Sequence, residues 1–371
     1  MPAAPDMTDK TDLFVKLAKH LDNLPAGFPP TESGVELRIL KRLFTPEEAA
    51  AALGLTMMPE PAAAIAERLE MEVATLEPLL ITMAGKGLIF SIEKGETPIF
   101  MAAQFVIGIW EYHLNDLDEE LIRDVNEYLP EFMHKQYLKN ETKQLRVIPV
   151  SKEIVSKEGI TSAGTSENPI MPYEVAEEII RKQRKIVVSD CICRKEHKIT
   201  GEPCDYPMEV CLAFGTGAYY YEKNGLGRSI DQEEALKVLE KGREAGLVLQ
   251  PGNSQRPTNI CMCCGCCCQV LKNLNTMDAP AEHVHTNYLA AVDADECVAC
   301  EDCVDRCHMD AITVEDVALI DPKRCIGCGV CVPSCPTGAM SLKTKSADNP
   351  YVPPRNVMET YINMATERGL F

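Results

Sequence analysis

Two runs of cysteine near the C-terminal end carry the clearest chemistry in this chain of 371 residues. One reads Cys297-x2-Cys300-x2-Cys303-x3-Cys307, and the other Cys325-x2-Cys328-x2-Cys331-x3-Cys335-Pro336. Three thiolates spaced two residues apart can wrap three corners of an iron–sulfur cube, while the fourth, on a short helix pointing away, reaches a second cube. The spacing therefore places Cys297, Cys300, Cys303 and Cys335 around one [4Fe–4S] cluster, and Cys325, Cys328, Cys331 and Cys307 around another. Zinc is the alternative for clustered cysteines, but it is satisfied by four ligands in two CxxC pairs separated by a longer loop. Such a site does not account for eight cysteines in a duplicated pattern.

The duplication extends beyond the sulfurs. A shift of 28 residues superposes Asp293 on Asp321, each cysteine on its counterpart, Ala311 on Ala339 and Val314 on Leu342. The segment from about 288 to 344 resembles the bacterial two-[4Fe–4S] ferredoxins, and the resemblance implies a pseudo-twofold fold of two strand–loop–helix–strand halves. One departure is His308, which stands where many such domains carry the proline found here at Pro336.

Ten more cysteines lie upstream: Cys191, Cys193, Cys204 and Cys211, then Cys261, Cys263, Cys264, Cys266, Cys267 and Cys268. Ten thiols exceed the needs of one cube. Neighbouring side chains on an extended chain point to opposite faces, so the dense run cannot aim all its sulfurs at one site. Some should face a second site or be buried as small hydrophobes. The reading is one or two further [4Fe–4S] clusters, with a zinc site or redox-active thiols as alternatives. The CICR, GEPC and EVCL steps and the closing CxCCxCCC run are similar to stretches of ferredoxin-like proteins of anaerobic bacteria that carry a winged-helix-like front. His197, His283, His285 and His308 are read as surface or supporting residues rather than ligands. Gly215-Thr216-Gly217 and Gly225-x-Gly227 lack the full G-x-G-x-x-G pattern, and loops account for them.

The elements that must position these thiols follow from capping and periodicity. Asp231-Gln232-Glu233-Glu234 opens a helix to about Glu244 that Gly246 closes, and Ile186 to Val188 is a strand leading into Cys191. A helix is expected over Tyr173 to Gln183, and a short strand over Leu145 to Val150. Towards the N-terminus, a helix covers Asp12 to Leu21, and Thr45-Pro46-Glu47-Glu48 starts another. Pro61 to Leu69, Val73 to Lys86, Gly87 to Phe90, a turn at Gly95 and Pro98 to Met101 read as helix, helix, strand, turn, strand. That order resembles a winged helix-turn-helix domain. Residues 62–101 carry three bases against six acids, where phosphate contacts would demand the opposite balance, so docking or dimerisation fits better than DNA binding. Phe105 to Trp110 reads as core, Asp118 to Tyr128 as an acidic helix with a solvated face, and Ser156 to Pro169 as a linker.

The fold class expected is α+β, with a winged-helix-like N-terminal domain, a Cys-rich α/β middle domain and a C-terminal two-[4Fe–4S] ferredoxin fold. The segments are 1–34 (helix and linker), 35–150 (winged-helix-like with a helical extension), 171–285 (Cys-rich), 286–345 (ferredoxin) and 346–371 (tail, with a helix over Val357 to Arg368). None of the 18 cysteines precedes Cys191, no leader pattern opens the chain, and no run of about 18 apolar residues suggests a membrane span. Reduced thiols in a cytoplasmic setting follow. Thirty-seven bases against 56 acids give a formal charge of −19 and a pI near 4.9, which opposes binding to nucleic acid. The function expected is that of an electron-transfer protein, or an electron-transferring subunit, relaying low-potential electrons to or from a redox partner with a basic docking patch. It is a component of a larger complex or a homo-oligomer in that reading. An oxidoreductase with a catalytic cluster in the middle segment, and an iron–sulfur redox-sensing regulator, are the alternatives.

Overall fold

The computed structural model describes residues 7–94, 97–151, 171–345 and 349–370, so the turn read at Gly95 and the linker read at 156–169 lie outside the described residues. The chain forms two compact units. One comprises Met1–Thr142, Tyr219–Leu226 and Tyr361–Phe371; the other comprises Lys143–Ala218 and Gly227–Thr360.

In the first unit, helices α1 (Met7–Asp22), α2 (Val35–Leu43) and α3 (Pro46–Ala52) lead into a small sheet. The start of α3 is fixed as its sequence requires: the Glu48 N–H donates to Thr45 Oγ1 at 3.2 Å, and the Thr45 N–H donates to Glu48 Oε2 at 2.8 Å. Then follow β1 (Glu60–Pro61), α4 (Ala62–Leu69), α5 (Val73–Gly85), β2 (Ile89–Lys94) and β3 (Thr97–Ala102), with the antiparallel strands ordered β1-β3-β2. Phe105–Ile109 leads into α6 (Trp110–Tyr112) through extended backbone at Val106, Ile107 and Gly108, and Phe105 and Trp110 are buried. Helix α7 (Glu119–Phe132) begins at Asp118, whose carboxylate accepts from the N–H groups of Glu120 and Leu121. Half of α7 is buried, because Leu121, Val125, Tyr128 and Phe132 form an apolar stripe beneath its acidic face.

The second unit holds all 18 cysteines. In place of one helix over Tyr173 to Gln183, a 3-10 turn (Pro172–Glu174) and α8 (Ala176–Arg181) are separated at Val175, whose backbone is extended. Next come β4 (Ile186–Asp190), α9 (Ile192–Ile199), β5 (Glu209–Phe214), α10 (Gly215–Lys223), β6 (Arg228–Ile230), α11 (Gln232–Glu244), β7 (Val248–Pro251), β8 (Asn259–Cys263) and α12 (Gln269–Asn275). The five strands order as β6-β4-β5-β8-β7, and every pair is antiparallel. The Cys-rich segment is therefore α+β rather than the α/β arrangement expected. Only residues 252–258 join β7 to β8, too few for the crossover of about a dozen residues that a parallel pair needs.

Leu145 to Val150, expected as a strand, makes only two isolated bridges, Leu145 to Gly252 and Ile148 to Leu249. Its successive N–H groups face different partners. That of Ile148 donates to Leu249 O, that of Val147 to His285 O, and that of Val150 to Cys328 O. The unit closes with β9 (Tyr288–Val292), α13 (Asp302–Asp305), β10 (Ile312–Val314), β11 (Ala318–Ile320) and β12 (Met340–Thr344), before α14 (Val357–Glu367) near the end of the chain.

Candidate metal centres

The repeat seen in sequence is reproduced in the backbone. Strand β9 of the first half pairs with β12 of the second, and β10 pairs with β11. Left-handed residues recur 28 positions apart: Ala299 (φ 51°) and Gly327 (65°), Glu301 (67°) and Gly329 (75°), Asp310 (50°) and Gly338 (73°). These turns fold each three-cysteine loop around a hollow. The first half thus holds three non-glycine residues in a conformation that costs an L-amino acid roughly 1–2 kcal/mol.

Cys297, Cys300, Cys303 and Cys335 line one small cavity. A second is lined by Cys307, Cys325, Cys328 and Cys331. Both groupings exchange the fourth cysteine between halves, as the spacing requires. Backbone donors are aimed at the sulfurs in matching places. The Ala318 N–H donates to Cys297 Sγ and the Ala290 N–H to Cys325 Sγ, both at 3.4 Å, and the Ala311 N–H donates to Cys307 Sγ at 3.3 Å. Such donors stabilise a thiolate and tune a sulfur-bound metal. Burial pushes the Cys328 thiol up to about 12 and also raises Cys303, Cys307 and Cys331. In the metal-free chain these groups keep their protons, and a metal must displace them. Four converging sulfurs, apolar walls and N–H groups at the sulfurs fit an iron–sulfur cluster in each cavity.

The two cavities differ in access. Cys300 is exposed, and the neighbouring Val298 is 63% exposed, whereas Cys325 and Cys331 are buried. Asp293, Asp295, Glu296, Glu301, Asp302 and Asp305 surround the exposed loop in sequence, all of them exposed, with no base in that stretch.

The ten upstream thiols fall into two groups. Strand β8 presents Cys261 and Cys263 on one face, while Met262 packs the other way, against Gly242 of α11. With Cys191 at the start of α9, Cys193 within it, Cys211 on β5 and Cys268 at the start of α12, they make a group of six. Their interactions close on themselves: Cys191 with Cys193, Cys193 with Cys268, Cys268 with Cys263, Cys263 with Cys261, Cys261 with Cys211, and Cys211 electrostatically with Cys191. The other four, Cys204, Cys264, Cys266 and Cys267, have sulfurs all within 4.8 Å of one another.

Arg194 stands between the groups, and its importance was not read from sequence although it follows Cys193 directly. It is 2% exposed, and its guanidinium donates to Pro207 O at 2.9 Å and Met262 O at 2.8 Å, while its Nε has no hydrogen-bond partner. Burial works against its charge, but the sulfurs of Cys191, Cys264 and Cys263 raise its pKa. A buried cation requires compensating negative charge, which thiolates supply. Glu196, on the same helix, is also buried.

Of the histidines, His308 lies at the sites. Its Nε2 donates to Gly246 O at 2.7 Å, and its Nδ1 accepts from the Gly265 N–H at 3.2 Å, so both ring nitrogens are engaged by backbone. His197 lies 3.4 Å from Lys272 Nζ, and His285 stacks on Tyr351. Gly225 and Gly227 serve a turn: Gly225 is left-handed at φ 65°, and a Cβ on Gly227 would stand 2.5 Å from Val188 O. Gly215 and Gly217, expected in a loop, instead form the first turn of α10. No helix among the described residues is long and apolar enough to cross a membrane.

The family described as "4Fe-4S binding domain" matches residues 318–341, which include Cys325, Cys328, Cys331 and Cys335. Comparison with curated proteins and with solved structures gives no match. The chain carries an iron–sulfur, ferredoxin-type domain near its C-terminus.

Proposed function

We propose that this protein relays single low-potential electrons between redox partners through two [4Fe–4S] clusters in the ferredoxin repeat and at least one further iron–sulfur centre among the ten upstream thiols. The observation that carries the reading is the pair of cavities, each lined by four thiols from both halves of the repeat. When bound, a [4Fe–4S] cluster supplies one-electron chemistry with little rearrangement of its ligands. The chain holds the sulfurs, directs N–H groups at them and sets their access to water. Exposed Cys300 and Val298 favour the first cavity as the point of exchange with a partner.

The six acids from Asp293 to Asp305 favour a partner with a basic docking patch. Each cube with four thiolates brings a net charge of about −2, or about −3 when reduced, adding to that attraction. The order of α4, α5, β2 and β3 and the β1-β3-β2 sheet support a winged-helix-like reading of this segment, with docking or dimerisation as its role.

Iron and acid-labile sulfide measured on anaerobically purified protein test the cofactor. About eight of each corresponds to the repeat alone, and about twelve or more to further clusters. Reduction by a candidate partner, followed by stopped flow, should slow as ionic strength rises. A colourless protein without sulfide would refute the reading, and a rate indifferent to salt would remove the docking argument.

A further inference from the structure

We propose that Cys204, Cys264, Cys266 and Cys267 hold a single thiophilic divalent ion, zinc or iron, in a tetrahedron of thiolates, separate from any cluster held by the other six upstream cysteines. This deepens the reading above and rests on it only for the iron and sulfide count against which it is measured.

Spacing distinguishes an ion from a cage. Thiolates at about 2.3 Å from one tetrahedral ion stand roughly 3.8 Å apart, whereas a cube interposes its own iron and sulfide corners and spreads its thiolates wider. The sulfurs of Cys266 and Cys267 are 3.7 Å apart, and all four of the group lie within 4.8 Å of one another. Among the described residues this is the one such group of three or more His, Cys, Asp or Glu side chains. Neither set of four ferredoxin thiols contains such a group, nor does the ring of six, whose sulfurs meet only neighbour to neighbour.

Local structure builds the tight set. The Cys268 N–H donates to Cys264 O at 3.2 Å, closing a turn that gathers Cys264, Cys266 and Cys267. Gly265 lies at its centre, where an added Cβ would stand 2.9 Å from His308 O, and its N–H is held by His308. Cys204 arrives from the loop between α9 and β5, so an ion here would staple that loop to the cysteine run. A divalent ion with four thiolates carries a net charge of about −2, and Arg194, buried beside Cys264 with an unpartnered Nε, is placed to offset it.

The test uses the full-length protein, purified without air, as wild type and as Cys204→Ser, Cys266→Ser and, for comparison, Cys297→Ser. Cys204→Ser and Cys266→Ser should each lose about one metal equivalent, zinc or iron by elemental analysis, with acid-labile sulfide and visible absorbance unchanged. Cys297→Ser should lose iron and sulfide together. Loss of about four iron and four sulfide from the first two variants would mean a cube and overturn the proposal, as would no loss of metal. If those variants do not accumulate, the wild type decides. A zinc edge with an all-sulfur shell and no iron neighbour, or an isolated FeS4 Mössbauer signal, supports the site, and the absence of both overturns it. A protein with one thiolate-bound ion but no sulfide would sink the electron-relay reading and leave this site standing.

Discussion

Gly327→Ala and Gly338→Ala make a matched pair that separates two reasons for a glycine in the ferredoxin repeat. Both residues are left-handed, at φ 65° and 73°, so alanine at either pays the same conformational cost of roughly 1–2 kcal/mol, partly offset by a less flexible unfolded chain. Ala299, the counterpart of Gly327 in the first half, already adopts φ 51° with a side chain. At Gly338 nothing lies within 4 Å of an added Cβ, and the cost ends there, near 1 kcal/mol. At Gly327 the Cβ would stand 2.1 Å from Tyr288 O and 2.7 Å from its carbonyl carbon, and backbone cannot swing aside. Tyr288 begins β9, and two residues on, the Ala290 N–H donates to Cys325 Sγ. Displacing the strand therefore disturbs the second cavity as well as overpacking it, for roughly 3 kcal/mol or more in total. The difference of about 2 kcal/mol is a factor of about 30 in an equilibrium constant. Anaerobic denaturant titrations followed by visible absorbance, with iron and sulfide counts, read both effects. Gly338→Ala should keep its metal, and Gly327→Ala should lose about four iron and four sulfide. Equal behaviour of the two variants would refute the close-approach argument.

Arg194→Met should make reduction of the upstream centre harder, moving its potential negative by tens of millivolts, because a buried positive charge beside the sulfurs is removed; an EPR-monitored redox titration measures this, and an unchanged potential counts against it. Burial pushes Glu196 up to about 7, opposed by the amide of Gln269. A carboxyl raised above its unfolded value supports the fold fully below about pH 4.5, and that support is lost as pH rises through 7. Glu196→Gln should therefore raise the thermal midpoint clearly at pH 8 and little at pH 4.5, with equal shifts at both as the refuting result. Glu296→Gln combined with Asp302→Asn should slow reduction by a basic partner several-fold at low salt, with metal content unchanged and the difference vanishing at high salt.

Local signals made much of this fold readable. The capping residues Thr45, Asp118 and Asp231 stand where their helices begin, because a side-chain oxygen serving an unpaired N–H is a matter of a few residues. The 28-residue repeat placed Cys307 and Cys335 in each other's halves, and the structure has them lining those cavities. Long-range pairing was less legible. Leu145 to Val150 has strand composition, yet its N–H groups are divided among β7, His285 and Cys328, which no local pattern encodes. The short link of residues 252–258 accounts for the antiparallel β7–β8 pair, but β4 and β5 are antiparallel across the longer segment 191–208 that carries α9, so strand composition and connection length together did not encode the direction of that pair. Alternation along β8 implied that the cysteine run would divide, but not that Cys204 would join Cys264, Cys266 and Cys267, which depends on a loop 60 residues away in sequence. The Arg of CICR gave no signal, since an arginine next to a cysteine is ordinarily a surface residue.

The hydrogen bonds of His308 bear on how this molecule can be dissected. They run from the residue after Cys307 to the end of α11 and into the cysteine run, and Val150 binds Cys328 O in addition. Excising residues 286–345 as a stand-alone minidomain would strand an imidazole whose two partners remained on the discarded piece. A fragment that keeps these donors with their acceptors extends back to Lys143, whose carbonyl accepts from the Asn253 amide and where the second unit begins, so truncation studies should cut there and not at the border of the repeat.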